Sequence, residues 1–134
     1  MAYVNELIDF IKASPTAHHT VDTLKRALLA EGYTEVYENN GASFADGGKH
    51  FVIRGGSSII AFKGKGDGFM ICASHSDSPC FKVKENGELA GKYTRLAVER
   101  YGGMLMGPWL DRPLSIAGRV LVQTEKGMET KLID

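Results

Sequence analysis

The spacing of apolar residues in the first part of the chain predicts two amphipathic helices. Apolar residues recur at helical spacing over residues 3–13, which predicts a short helix there. Pro15 disfavours helical backbone in the residue before it, so a second helix is predicted to begin near Thr16 or Thr20 and to end before Gly32. The two stripes consist of Val4, Leu7, Ile8, Ile11, Val21, Leu24, Leu28 and Leu29.

Beyond Gly32 the pattern changes to short apolar runs between glycine-rich turns, which predicts β-strands. The predicted elements are a short strand over 33–37, a turn-rich loop over 39–49, a hairpin of 51–53 and 58–62 around Gly55-Gly56, a turn over 64–68, strands over 81–84 and 93–99, and a final pair of strands over 115–123 and 128–133 around Lys126-Gly127. Together with the helices they predict an α/β fold, in which the two helices pack on a mixed, mostly buried β-sheet.

The run over residues 69–74 differs from the other predicted strands because it is almost continuously apolar. Continuous apolar character is typical of a strand that is covered on both faces. Cys72 lies inside this run and is therefore expected to be a small buried hydrophobic residue.

The chemical signal that stands out is the triplet His75-Ser76-Asp77, which follows the apolar run directly. Side chains two residues apart on a strand share a face, so His75 and Asp77 are expected to converge. A metal-bound histidine commonly donates its other ring N–H to a carboxylate. The triplet therefore indicates metallohydrolase chemistry, although the same pair is also typical of a purely structural hydrogen bond.

Other histidines and cysteines offer weaker candidates. Cys72, His75 and Cys80 carry the donor types that zinc prefers, but Cys72 and His75 are three residues apart and would face opposite sides of a strand. His18 and His19 fall at the start of the second helix, where a surface or N-terminal-turn role is the simpler interpretation.

Two glycine-rich loops complete the candidates. Residues 64–68 resemble a phosphate loop but lack the Gly-Lys-Ser/Thr that would contact phosphate and magnesium, so hairpin-turn glycines explain them. Residues 101–113 have no periodicity, and long loops of this kind are usually functional. Within them, Asp111 and Arg112 are interpreted as an ion pair or a loop-fixing contact, with the wall of an active site as the alternative.

Composition narrows the class of protein. The 134 residues suit one domain, and a content of 43% hydrophobic and 24% charged residues is ordinary for a globular protein. Sixteen basic residues balance sixteen acidic ones, which favours neither nucleic acid nor an anionic membrane as a partner. No stretch approaches the roughly 20 apolar residues that a membrane helix needs. The N-terminus shows no signal-peptide pattern and two cysteines do not make a disulfide framework, so the expected location is cytoplasmic.

Several short blocks fall in a fixed order along nearly the whole chain. They are Ser14-Pro15-Thr16-Ala17-His18-His19, Ser57-Ser58-Ile59-Ile60-Ala61-Phe62, His75-Ser76-Asp77-Ser78-Pro79-Cys80 with Lys82-Val83-Lys84, Tyr101-Gly102-Gly103, and Trp109-Leu110-Asp111-Arg112-Pro113-Leu114-Ser115 with Ala117-Gly118-Arg119-Val120. Together these blocks resemble the N-terminal part of the aspartyl aminopeptidase family of zinc metallopeptidases.

The resemblance implies an exopeptidase with two Zn²⁺ ions per active site that removes Asp or Glu from peptide N-termini and forms homo-oligomers. The histidine that matches His75 binds one zinc in such enzymes. The aspartate that matches Asp77 belongs to the catalytic residues because it holds that imidazole in place. Paired zinc ions lower the pKa of a bound water and polarise the scissile carbonyl.

The chain departs from the family mainly by ending at Asp134. The resemblance implies that residues 1–114 are the N-terminal part of the catalytic domain and residues 115–134 the start of an inserted dimerisation domain. The remaining metal ligands and the base glutamate would follow later, and Asp111 would be at most a pocket wall. The leading hypothesis is an N-terminal fragment that is inactive alone. The alternatives are a natural non-catalytic truncation that serves assembly or regulation, and an unrelated binding domain with a structural His–Asp pair.

Overall fold

A computed structural model describes residues 2–38, 47–64 and 67–134 of the chain. Its helices and strands are α1 (Ala2–Lys12), α2 (Ala17–Ala30), β1 (Thr34–Glu35), β2 (Lys49–Arg54), β3 (Ser58–Lys63), β4 (Cys80–Leu89), β5 (Arg95–Tyr101), α3 (Gly107–Leu110), β6 (Gly118–Thr124) and β7 (Gly127–Ile133). They form two units, of which the first contains Met1–Asp77 with Ile116–Asp134 and the second contains Ser78–Ser115.

Both predicted N-terminal helices are confirmed, and α2 has well-defined ends. Thr16 precedes α2 with extended backbone (φ −136°, ψ 164°), and its hydroxyl accepts a hydrogen bond from the backbone N–H of His19. At the other end Gly32 adopts φ +78°, while the N–H of Tyr33 donates to the carbonyl of Leu28 at 2.9 Å. This combination is a Schellman termination, in which a left-handed glycine closes the last turn.

The first unit contains a mixed three-stranded sheet in the order β1-β2-β3. β1 runs parallel to β2, and β2 and β3 form the predicted antiparallel hairpin, with Arg54 opposite Ser58 across the Gly55-Gly56 turn. α2 contacts β1 and β3. Val21 of α2 is 2% exposed and Phe51 of β2 is fully buried, so the core of this unit lies between α2 and the sheet.

The β6–β7 hairpin belongs to the same unit. Its strands pair antiparallel from Gly118 opposite Ile133 to Thr124 opposite Gly127, and α2 contacts β6. Gly127 closes the turn with φ +110°, a backbone conformation that residues with a Cβ avoid. The two strands predicted at the end of the chain are therefore confirmed. Their assignment to a dimerisation domain stays a prediction.

The second unit contains the antiparallel pair β4 and β5, with a register shift between Val83 and Glu88. The loop predicted over residues 101–113 contains one short helix, α3, which has Pro108 in its first turn. Proline is well tolerated there because the first helical N–H groups have no helical partner. The Trp109 ring of α3 meets Phe81 edge-on, with ring centroids 5.6 Å apart.

The prediction of a covered strand over residues 69–74 is wrong. These residues have no regular structure, and Phe69, Met70 and Ile71 are 92%, 104% and 85% exposed. Cys72 is exposed too, so its predicted burial is also wrong. A strand is held by its hydrogen-bonded neighbours, and no strand in the described part of the chain pairs with this run.

The described sheet is also less covered than predicted, since Phe51 is its one fully buried residue. Residues 39–46 of the predicted loop over 39–49, and residues 65 and 66 of the predicted turn over 64–68, lie outside the described residues. Large apolar side chains of α1 are exposed as well; they are Tyr3, Val4, Leu7, Ile8 and Ile11.

Candidate functional site

His75 and Asp77 contact each other in the first unit, as their spacing predicts, although the segment is not a strand. His75 Nδ1 lies 2.8 Å from the backbone carbonyl oxygen of Asp77 and 3.3 Å from Asp77 Oδ1. Because a carbonyl oxygen only accepts hydrogen bonds, Nδ1 carries the proton and donates it. In the neutral ring, Nε2 then has a lone pair, and the imidazole is 80% exposed. This tautomer suits a metal ligand that binds through Nε2.

Ser76 fixes the segment that carries this pair. Its hydroxyl donates a hydrogen bond of 2.8 Å to the backbone carbonyl of Ser57, which lies directly after the Gly55-Gly56 turn. The serine is half-buried, whereas His75 beside it is exposed. Sequence reasoning assigned no role to Ser76. The available signal was a hydroxyl residue between two residues of interest, which by itself does not reveal a partner 19 positions earlier.

The β2–β3 turn that holds Ser76 is itself held from two other directions. His18 Nδ1 donates to the carbonyl of Gly56 at 2.9 Å, and Arg119 Nη1 donates to the carbonyl of Gly55 at 3.3 Å. His19, by contrast, places its Nδ1 2.7 Å from the hydroxyl of Thr16 at the start of α2. The predicted N-terminal-turn role therefore describes His19, while His18 joins α2 to the hairpin.

The described residues contain only the beginning of a metal site. Within them, no group of three or more His, Cys, Asp or Glu side chains is placed to hold a metal ion. The alternative set of Cys72, His75 and Cys80 is therefore not brought together. His75 fits zinc in its donor chemistry, since imidazole nitrogen is a preferred zinc ligand and its Nδ1–H is already oriented by Asp77.

A cavity of about 280 Å³ lies in the first unit between α2, the β2–β3 turn and the β6–β7 hairpin. Its charged side chains already have partners. Lys25 Nζ lies 2.7 Å from Glu35 Oε2, and the hydrogen bond to Glu35 raises the pKa of the Lys25 ammonium above its usual value. Asp22 Oδ2 lies 3.1 Å from Arg26 Nε. Because these charged side chains are already paired, we interpret the cavity as part of the structural contact between α2 and the neighbouring strands.

In the second unit, Asp111 and Arg112 follow α3. The guanidinium of Arg112 lies over the Trp109 ring, 5.8 Å from its centroid, which is within the range of a cation–π contact. Arg112 therefore has a loop-fixing contact of the kind that the sequence suggested. The role of Asp111 as a pocket wall stays a prediction.

Curated relatives match the chain from end to end but are much longer. The protein named "Probable M18 family aminopeptidase 2" of Clostridium novyi is 43% identical over 98% of this chain, which spans 33% of that relative. The protein of the same name from Pseudomonas aeruginosa PAO1 is 43% identical over 96% of this chain and 31% of its own length. The chain thus spans about a third of the length of the curated relatives it matches.

Solved structures agree in fold. The Chaetomium thermophilum mApe1 structure superposes with a TM-score of 0.88 at 35% identity, over 98% of this chain and 32% of that one. Yeast aminopeptidase 1 superposes with a TM-score of 0.81 at 28% identity, over 98% of this chain and 33% of that one. The sequence profile described as aminopeptidase I zinc metalloprotease (M18) matches residues 10–134. The ordered sequence blocks, the fold and the profile agree, and the chain belongs to the M18 family of zinc metalloaminopeptidases.

Proposed function

We propose that this chain is the N-terminal portion of a zinc aminopeptidase that removes Asp or Glu from peptide N-termini, and that the chain alone is inactive. The observation that carries the proposal is the His75–Asp77 pair, whose geometry leaves an exposed imidazole Nε2 in a member of a zinc peptidase family. Inactivity is supported by the described residues, which assemble no set of three metal-binding side chains.

In the proposed enzyme His75 binds one of two zinc ions through Nε2, and Asp77 keeps the proton on Nδ1. Zinc in such a site lowers the pKa of a bound water and polarises the scissile carbonyl. The contribution of this chain is to hold one imidazole ligand in the fixed tautomer and orientation that metal binding requires. The other ligands and the general base would come from the remainder of the longer protein.

The preference for acidic N-terminal residues rests on the sequence blocks that resemble aspartyl aminopeptidases. Homo-oligomeric assembly is supported by a solved yeast relative, described as a dodecamer, which superposes with a TM-score of 0.79 at 28% identity. A cytoplasmic location is part of the proposal. In the part of the chain that the structure describes, no helix is long and apolar enough to span a membrane.

The test compares the full-length protein that carries this sequence with the 134-residue chain. Full-length protein is expected to hold two zinc ions and to hydrolyse N-terminal Asp and Glu anilides faster than the Leu anilide, whereas the short chain is expected to hydrolyse none. His75→Ala in the full-length protein is expected to remove one zinc and most activity. His19→Ala is the matched control, because His19 contacts Thr16 at the start of α2.

Three results would each contradict one part of this proposal. Cleavage of acidic substrates by the pure short chain would disprove its inactivity. Full zinc content in the His75→Ala protein would disprove the metal-binding role of His75. A preference for the Leu anilide would reject only the acidic specificity.

A second candidate is a natural non-catalytic truncation that assembles with a longer homologue. The observation in its favour is the exposure of apolar side chains on α1 and in the run that begins at Phe69, since large exposed apolar patches commonly mark interaction sites. Intact mass measurement of the protein from its source cells distinguishes the two functions. A 14.6 kDa product that co-purifies with a longer homologue supports assembly, and a product about three times heavier supports the enzyme.

A further inference from the structure

We infer that Ser76 is a positioning residue for the metal ligand His75, and that it acts by anchoring the ligand-bearing segment to the β2–β3 turn. The inference rests on the proposed function, because it concerns the placement of a zinc ligand. It adds a residue whose hydroxyl bonds to the backbone of another element and not to the His75 imidazole. Its hydrogen bond to the Ser57 carbonyl is 2.8 Å long.

The turn is suited to this task because it presents three successive carbonyl groups to three different segments. The donors come from β6, from α2 and from the segment that carries His75. The bonds from β6 and α2 fix the turn, and the fixed turn anchors the His75 segment. The three bonds are Arg119 Nη1 to Gly55 O at 3.3 Å, His18 Nδ1 to Gly56 O at 2.9 Å, and Ser76 Oγ to Ser57 O at 2.8 Å.

The backbone of the turn makes this arrangement possible. Gly55 and Gly56 adopt φ +59° and +70°, in the left-handed region that residues with a Cβ rarely enter. A Cβ built at Gly56 would lie 3.5 Å from His18 Nδ1. The sequence Gly55-Gly56-Ser57 thus provides a left-handed hairpin turn, and His18 lies at ordinary van der Waals distance from Gly56.

The two hydrogen bonds in the triplet have different consequences. The bond from His75 to the Asp77 carbonyl joins residues two apart, so it orients the ring within its own segment. The bond from Ser76 joins residues 19 apart and ties that segment to the sheet. The preceding residues 69–74 have no regular structure to do so. Because Ser76 is half-buried, water competes less with its hydrogen bond than at an exposed site.

The test measures zinc affinity of the full-length protein by competition with a chelator. Ser76→Ala is expected to weaken binding at the His75 site about 10-fold, the lower end of the loss seen when groups that orient metal ligands are removed. Ser76→Thr keeps the hydroxyl and is expected to bind zinc as tightly as the original protein. Ser74→Ala is the matched control, since Ser74 is an exposed serine in the same segment, and it is expected to leave the affinity unchanged.

The readouts separate positioning from mere stability. A Ser76→Ala protein that melts at a lower temperature without zinc, yet binds zinc as tightly as the original, overturns the inference. If His75→Ala removes zinc while Ser76→Ala does not weaken it, the inference fails and the proposed function stands. If His75→Ala keeps its full zinc content, the proposed function itself fails.

A second variant decides the matter if Ser76→Ala does not fold. His18→Ala removes the hydrogen bond that holds the same turn from α2, without changing the His75 segment. It is expected to weaken zinc binding about 3-fold, because the turn is less firmly held. A loss of about 3-fold is the size expected for one ordinary hydrogen bond. Unchanged zinc affinity in His18→Ala would overturn the inference in that case.

Discussion

β2 and the run over residues 69–73 are both short and rich in apolar residues, yet their structures are opposite. β2 pairs with β1 on one side and β3 on the other, and its Phe51 is fully buried. The later run has no regular structure, and Phe69 is 92% exposed. An apolar run in the sequence thus indicates a tendency to be buried. Whether the run is buried depends on the neighbouring strands and helices that the rest of the protein supplies.

The difference has a direct meaning for the candidate site. His75 follows the unpaired run, so a paired strand does not fix it, and a hydrogen bond from Ser76 to the β2–β3 turn ties the segment to the sheet. The hairpin of β2 and β3 therefore supports this irregular segment through its turn. In the proposed longer enzyme, we expect the remainder of the protein to cover Phe69–Ala73.

The largest effect is expected from removing the buried aromatic ring of β2. Phe51→Ala in the 134-residue chain should lower the free energy of unfolding by about 3–5 kcal/mol, because it leaves a cavity. Phe69→Ala should change it by less than about 0.5 kcal/mol, since the ring is exposed. Urea unfolding measures both values. Equal losses for the two variants would show that the run is buried and would end the comparison.

A smaller effect is expected at the glycines beside the two runs. Gly56→Ala should cost about 1–2 kcal/mol, because φ is +70° and a left-handed backbone is strained by a Cβ. Gly68→Ala should be neutral or slightly stabilising, since a Cβ there meets no atom within 4 Å. Thermal unfolding of the two variants measures the difference. A costly Gly68→Ala would show that the backbone before Phe69 is more constrained than the structure indicates.

The start of α2 should matter about as much as one ordinary helix cap. Thr16→Ala removes the acceptor for the backbone N–H of His19 and should cost about 1 kcal/mol. Because α2 covers the sheet that contains β2, we expect faster amide exchange in β2 and no change in residues 69–73. Thr16→Ser keeps the acceptor and should restore protection in β2. Failure of serine to do so would argue against the cap.

The smallest effect is expected from the ion pair between α2 and β1. Glu35→Gln should cost at most about 1 kcal/mol at pH 7, because Lys25 and Glu35 are partly solvated. Glu35 raises the pKa of Lys25, so the pair stabilises the fold below the usual lysine pKa, and this stabilisation is lost as the pH rises through the raised value. Unfolding measured between pH 7 and 11 should show the Glu35→Gln and original proteins converging at high pH. Glu38→Gln, at a more exposed pair with Arg54, is the control and should have a smaller effect.

Local elements were largely predictable from the sequence. The apolar stripes and Pro15 placed α1 and α2, and the Gly55-Gly56 turn placed the hairpin, because helix periodicity and turn chemistry act over a few residues. The His75–Asp77 contact was equally local. The role of Ser76 was not predictable, since its partner Ser57 lies in a different element.

The sequence by itself determined the family, the helices, the hairpins and the residues of the candidate metal ligand and its carboxylate, because these depend on neighbouring residues and on motifs in a fixed order. The tertiary structure decided which apolar runs are paired and buried. It also decided that the turn after β2 receives hydrogen bonds from His18, Arg119 and Ser76. The physical reason is that strand pairing and long-range hydrogen bonds require two distant segments to meet, and no local pattern in either segment specifies the other.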